Sequence, residues 1–166
     1  MTNLEKIREL KEEIARLQGR IEEIEKSEQK SSRWKPELGE VYWFISGHGG
    51  IVYAVWQGNR EDIGRYAIGN IFPTKEAAEF EAERLRVIAE MQEFAFEPDW
   101  NNRTQSKYEL FYDHTDADIH TTSYTYVNDS SIYFKTEEQA QACIDSVGKE
   151  RIKKYYFRIK ETENDI

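Results

Sequence analysis

The chain is 166 residues long, with 33% charged side chains and a formal charge of −9. That balance argues against a duplex-DNA binder, whose affinity rests on Lys and Arg neutralising phosphates. An aromatic content of 13%, with ten Tyr, eight Phe and four Trp, excludes a mostly disordered chain despite a mean hydropathy of −0.82.

Residues 3–30 contain no proline and one glycine. Ile7, Leu10, Ile14, Leu17, Ile21 and Ile24 step alternately by three and four, the heptad seam of a coiled coil with Ile7 at position a. Ile at each a position with Leu at two of three d positions favours a parallel two-stranded pair. The flanking charges leave the orientation open: in that pair Arg20 meets Glu25 favourably, whereas Lys6 faces Lys11. The arm holds seven basic and eight acidic residues, so about −1 of the charge lies there and about −8 in the body. A helix this short is marginal alone and must bury its seam against a second copy, its own body or a foreign helix. A homodimer through this arm is the expected partner arrangement. The polar stretch "KSEQKSSRW" reads as a hinge.

In the body, "VYWFI" and "IVYAVW" read as strands joined by the glycine turn "SGHGG". A polar loop, "QGNREDIGR", leads to a further strand, "YAIGNIF". Thr74 then caps a long helix whose apolar stripe is Ala77, Phe80, Val87, Ile88, Met91, Phe94 and Ala95, with Pro98 in "EPDWNN" as its stop. The second half repeats the order: "YELFY", the turn "DHTDAD", "IHTTSYTY", a polar "VNDSS", "IYF", and a helix from Thr136 to a glycine cap at Gly148. Thr136 and Gln139 fit a capping box, and the tail "KKYYF" reads as a last short strand. "IFPTKEAAEF" and "IYFKTEEQAQA" are thus two spellings of one strand-to-helix junction.

These elements predict an α+β protein: an N-terminal coiled-coil helix followed by two tandem strand-hairpin-strand-helix repeats that share one core. The expected boundaries are 1–30 for oligomerisation, 31–98 for the first repeat and 99–166 for the second repeat with its tail. Each unit has too few strands to stand alone, which is why a shared core is expected.

Chemistry-bearing clusters are sparse. Asp113, His114, Asp116, Asp118 and His120 gather oxygen and imidazole groups, yet the spacing fits no EF-hand and the position is a hairpin turn, where Asp serves the backbone. Cys143, the single cysteine, falls on the apolar face of Ala140, Ile144 and Val147 and reads as a buried hydrophobe. His48 has no carboxylate or cysteine at catalytic spacing, so neither an enzyme nor a metal or cofactor site is expected. Trp56, Arg65, Tyr66 and Trp100 stand at element edges beside polar loops. Aromatic rings with Arg build protein hot spots, and rings also roof thin cores; these four are the expected partner-binding positions. No run approaches 18 apolar residues and no signal-peptide pattern begins the chain, which predicts a soluble protein.

"WKPELGEVYWFI" (34–45), the stretch from Trp56 through Arg65 to "IGNIFPTKEAAEF", and "KKYYF" together resemble small accessory proteins encoded by phages and prophages of Gram-positive bacteria. The resemblance spans most of residues 34–157 and implies action in the host bacterial cytoplasm. It implies a non-enzymatic, anti-defence role of the anti-CRISPR type, in which the protein occludes a host defence protein such as a nucleic-acid-processing effector. A sponge for a nucleotide immune signal and a structural or replication adaptor are the alternative readings.

Overall fold

The computed structural model describes residues 3–29, 33–125 and 132–160; in the N-terminal helix, side chains are described for residues 6–8 and 10–20. The protein is α+β, with one N-terminal helix, two small antiparallel hairpins and further helices. Helix α1 (Asn3–Gln29) runs the length expected of the arm. Ile7, Leu10, Ile14 and Leu17 are each between 49% and 58% exposed, so nothing among the described residues covers this part of the seam. Ile21 and Ile24 lie outside the described side chains, and hinge residues 30–32 outside the described residues.

Strands β1 (Val41–Ile45) and β2 (Ile51–Val55) pair antiparallel with Trp43 opposite Tyr53. Their turn closes through Ser46 and Gly50, and Gly49 takes a φ of +75° that favours glycine. The polar stretch expected to be a loop is instead helix α2 (Arg60–Ala67). Its start is a capping box: the Asn59 side chain accepts from the Asp62 N–H at 2.9 Å, and the Asp62 carboxylate accepts from the Asn59 N–H. Because α2 takes up Tyr66 and Ala67 and Gly69 then turns the chain (φ +79°), the expected strand shrinks to one bridge, Trp43 with Phe72. The Asn70 side chain occupies the next ladder position, bonding both the N–H and the C=O of Ile45 at 2.8 and 2.7 Å.

Thr74 caps helix α3 (Lys75–Gln92) by accepting from the Ala77 N–H at 3.2 Å. The helix stops at Gln92, well before Pro98, so the proline is not what ends it. The chain unwinds through tight turns at Glu93–Ala95, and the Phe96 N–H then bonds the Tyr133 carbonyl at 2.9 Å. Strands β3 (Lys107–Asp113) and β4 (Asp118–Tyr124) form the second hairpin around the turn at 114–117. Phe134 bridges Tyr108 as Phe72 bridges Trp43, again one residue where a strand was expected. Two residues later Thr136 caps helix α4 (Glu137–Val147), which Gly148 ends at φ +96°. The Gln139 side chain reaches the Lys135 N–H, one residue earlier than a capping box requires. The tail is helical where a strand was expected: α5 (Lys149–Arg151) continues as a π-helical turn, Ile152–Tyr156. Helical spacing drives Ile152 into the core and sets Tyr155 against Phe80 at 5.1 Å. The "VNDSS" loop and residues 161–166 lie outside the described residues.

The main core joins Val87 and Met91 of α3 to Leu110, Ile119, Phe134, Ala140, Cys143, Ile144, Val147 and Ile152. Earlier on α3, Ala78 and Ala82 are buried too, on the stretch preceding this core. Arg151 ties the C-terminal turn to α3 with a fork: Nη1 and Nη2 reach Glu90 at 2.7 and 3.0 Å, and Nη2 also reaches Glu83 at 2.8 Å. Hydrogen bonds to Glu90 and Glu83 hold the guanidinium above its ordinary pKa, while Arg151 holds both carboxyls below theirs. With the pair partly exposed, Arg151→Ala is expected to cost about 1 kcal/mol, a fall in Tm of roughly 2–6 °C, and Arg151→Lys to recover only part of it. Thermal melts of the three proteins check this. Cys143 is fully buried and burial pushes its thiol up to about 11. A thiol reagent at pH 8 is therefore expected to leave the folded protein unlabelled and to modify it at the rate of unfolding in urea.

Candidate functional site

The first hairpin and α2 meet around a buried carboxylate. Tyr42 on β1 donates its hydroxyl to Asp62 Oδ1 at 2.6 Å, and the Gln57 N–H bonds Asp62 Oδ2 at 2.8 Å. Arg65, one turn further along α2, donates to the Tyr42 oxygen at 2.7 Å and lies over the Phe44 ring at 4.0 Å. Burial alone would raise the Asp62 carboxyl; the Tyr42 hydroxyl, the Gln57 and Asn59 amides and the Arg65 charge together hold it below its ordinary value. Burial, with the Asp62 hydrogen bond, raises the Tyr42 hydroxyl, which keeps it a donor. Such a saturated network fixes the position of α2 against β1 and leaves no group free for proton transfer.

Of the four expected contact positions, three come together here. Trp56 is only 6% exposed and packs edge-on against Tyr42 at 6.0 Å and Tyr66 at 6.3 Å. Tyr66 is half-buried under Arg33, whose guanidinium stands 3.8 Å from the ring centre, and Lys35 lies near both rings. Arg65 is held by Tyr42 and Phe44. The group therefore reads as a roof over the small first-hairpin core. Trp100 stands apart: it packs edge-on against Tyr133 at 5.4 Å, bonds Glu97 through Nε1 at 3.2 Å, and no described contact joins it to the other three.

What sequence reasoning missed is the outer side of the hairpin. Trp43 exchanges both main-chain hydrogen bonds with Phe72, at 2.9 and 2.8 Å, so its N–H and C=O point away from β2. Residues opposite each other in such a pair both face outward. Tyr53, and with it Ile51 and Val55, therefore direct N–H and C=O groups to the free edge of β2, where no described hydrogen bond reaches them. Natural edges are usually blunted by Lys, Pro or a bulge; "IVYAV" has none of these. Its side chains are exposed as well, with Tyr53 at 63%, Val55 at 44% and, on the same face, Val41 at 46%. The signal in the sequence was the uninterrupted apolar strand, "IVYAV", whose exposed face lacks the polar residues that a solvated face ordinarily carries.

The 113–120 turn and a cleft beside α3 offer little chemistry. The 113–120 turn spends its carboxylates internally: Asp113 accepts from the Thr115 N–H, Asp116 pairs with His120 at 2.8 Å, and Asp118 pairs with Lys149. Among the described residues no group of three or more His, Cys, Asp or Glu is placed to hold a metal. A cleft of about 570 Å³ opens between the end of β1, Ile68–Asn70 and α3, walled by Ile68, Phe72 and Leu85. Its basic residue, Arg84, is paired with Glu81 at 2.8 Å, so an anionic ligand there would meet a carboxylate.

No family model, curated protein or solved structure matches this chain. No described helix is long and apolar enough to cross a membrane.

Asp62→Asn should strip the charged acceptor from Tyr42 and two amides and cost about 2–3 kcal/mol. Because the folded carboxyl titrates below its ordinary 3.8, its contribution is complete above that value and is lost as pH falls through the lower folded value. Urea midpoints measured from pH 6 downward should thus fall more steeply for the native protein than for Asp62→Asn.

Proposed function

We propose that the protein is a non-enzymatic binding protein that works by covering a surface of another protein, and that it does so as a homodimer joined through α1. The observation that carries this reading is the open β2 edge beside the exposed face of Tyr53, Val55 and Val41. An edge of this kind takes an extended strand through main-chain hydrogen bonds, with the flanking apolar side chains adding area. The body's surplus of about eight negative charges favours a partner with a basic channel or groove and speeds their encounter. The resemblance to phage accessory proteins makes a bacterial defence effector that processes nucleic acid the partner class, with the host cytoplasm as the place of action.

The α1 seam supports pairing, since Ile7, Leu10, Ile14 and Leu17 lie uncovered at heptad spacing. The body is read as one unit copied, its halves resting on a common helix. The matched junctions support this: Phe72 and Phe134 each bridge the first strand of a hairpin, and Thr74 and Thr136 cap the following helix with nearly the same backbone angles.

The test is inhibition of a purified defence nuclease that the protein is found to bind. Occlusion requires inhibition to titrate at one body per effector; complete inhibition at a small fraction of that ratio would mean turnover and end the non-enzymatic reading. Tyr53→Lys, on an exposed side chain, is expected to leave the Tm within a few degrees and weaken inhibition by about tenfold or more. Unchanged inhibition by a Tyr53→Lys, Val55→Lys double variant would remove β2 from the interface.

A further inference from the structure

We infer that the two α1 helices of the dimer run antiparallel, with Ile14 of each copy opposite Leu17 of the other. This rests on the pairing of α1 proposed above and goes further by fixing its geometry. The Ile-at-a pattern favours two parallel strands, but the charges beside the seam oppose that orientation and we let them decide. In a parallel pair each g residue faces the following e residue of its neighbour, which sets Lys6 against Lys11 twice by symmetry and offsets the favourable Arg20–Glu25 contacts. In an antiparallel pair g flanks g and e flanks e. The register that overlaps the whole seam then places Glu13 against Arg20 twice, on either side of the central Ile14–Leu17 layers, and Lys11 against the neutral Gln18. No like charges meet.

The described side chains agree. Arg8 and Glu12, off the seam, neutralise each other at 3.2 Å within the helix. Glu13 and Arg20 are exposed and carry no ion pair within the described chain, so both are available to a second copy. The consequence is functional. Each body leaves α1 at its C-terminal end, so the antiparallel pair holds its two exits about 40 Å apart, at ~1.5 Å per residue. Two bodies so spaced suit a partner with two separated sites and keep the two acidic surfaces from repelling each other.

Disulfide trapping in the full chain tests this, because Cys143 is buried and does not compete. Leu10→Cys together with Ile21→Cys should give a covalent dimer on mild oxidation, and Leu10→Cys alone should not. Efficient crosslinking by Leu10→Cys alone would establish a parallel pair and overturn the inference while leaving α1 pairing intact. A monomeric native chain in sedimentation would overturn both. Independently, Glu13→Arg should weaken dimerisation about tenfold and the Glu13→Arg, Arg20→Glu swap should restore it. In a parallel pair Glu13 faces only Gln18, so a Glu13→Arg variant as tight as the native chain would again sink the antiparallel register.

Discussion

A two-stranded antiparallel ribbon cannot bury its own side chains, and this constraint shapes the whole body. Both hairpins here are two-stranded, each widened at its first strand by one bridging phenylalanine. Helix α3 supplies what they lack. It packs on β1 and β2 as well as on α4 and the C-terminal turn. Ala78 and Ala82, toward its start, are small and buried, while Val87 and Met91 join the larger core of the second half. The Arg151 fork then fixes the C-terminal turn to the outer side of the same helix.

The two halves are held by different physics. The second buries aliphatic and aromatic side chains contiguously, and apolar burial there needs no special geometry. The first depends on Asp62, a carboxylate buried at the foot of α2 and satisfied by Tyr42, Gln57 and Asn59. Polar networks of that kind are directional. Fully bonded, they select one placement of α2; with a partner missing, they leave a buried charge unsatisfied. The short helix α2, too brief to be stable by propensity, is ordered by this carboxylate and its capping role together.

What was legible in the sequence follows from this. Periodic apolar spacing announced α1, α3 and α4, and the glycine and aspartate turns announced both hairpins, because those signals are local. Helix α2 was hidden because "NREDIGRY" has no apolar stripe; its decisive residue is Asp62, whose burial depends on Tyr42, twenty positions earlier in the chain. The tail "KKYYF" looked like a strand by composition, yet Ile152 finds its place in the core only through helical spacing from Gly148. Pro98 looked like the stop of α3, whereas the Phe96–Tyr133 hydrogen bond redirects the chain near that end. The aromatic residues chosen for contact divided in the same way. Trp56, Arg65 and Tyr66 come together against the first hairpin while Trp100 stands apart, and sequence carries no record of which side of a hairpin is roofed.

The division between halves also bears on how an open strand edge can persist in so small a body. An unprotected edge such as β2 invites unwanted pairing, and proteins commonly blunt it. Here the core of α3, β3, β4 and α4 provides stability without drawing on β2, so the edge is free to remain open. The strong negative charge of the body opposes self-association through that edge, since bringing two copies together there would juxtapose like surfaces. A basic partner would relieve the same repulsion. On the proposed reading, charge would bias the open edge toward a foreign strand and away from its own copy, with self-pairing left to α1, where acidic and basic residues are nearly balanced.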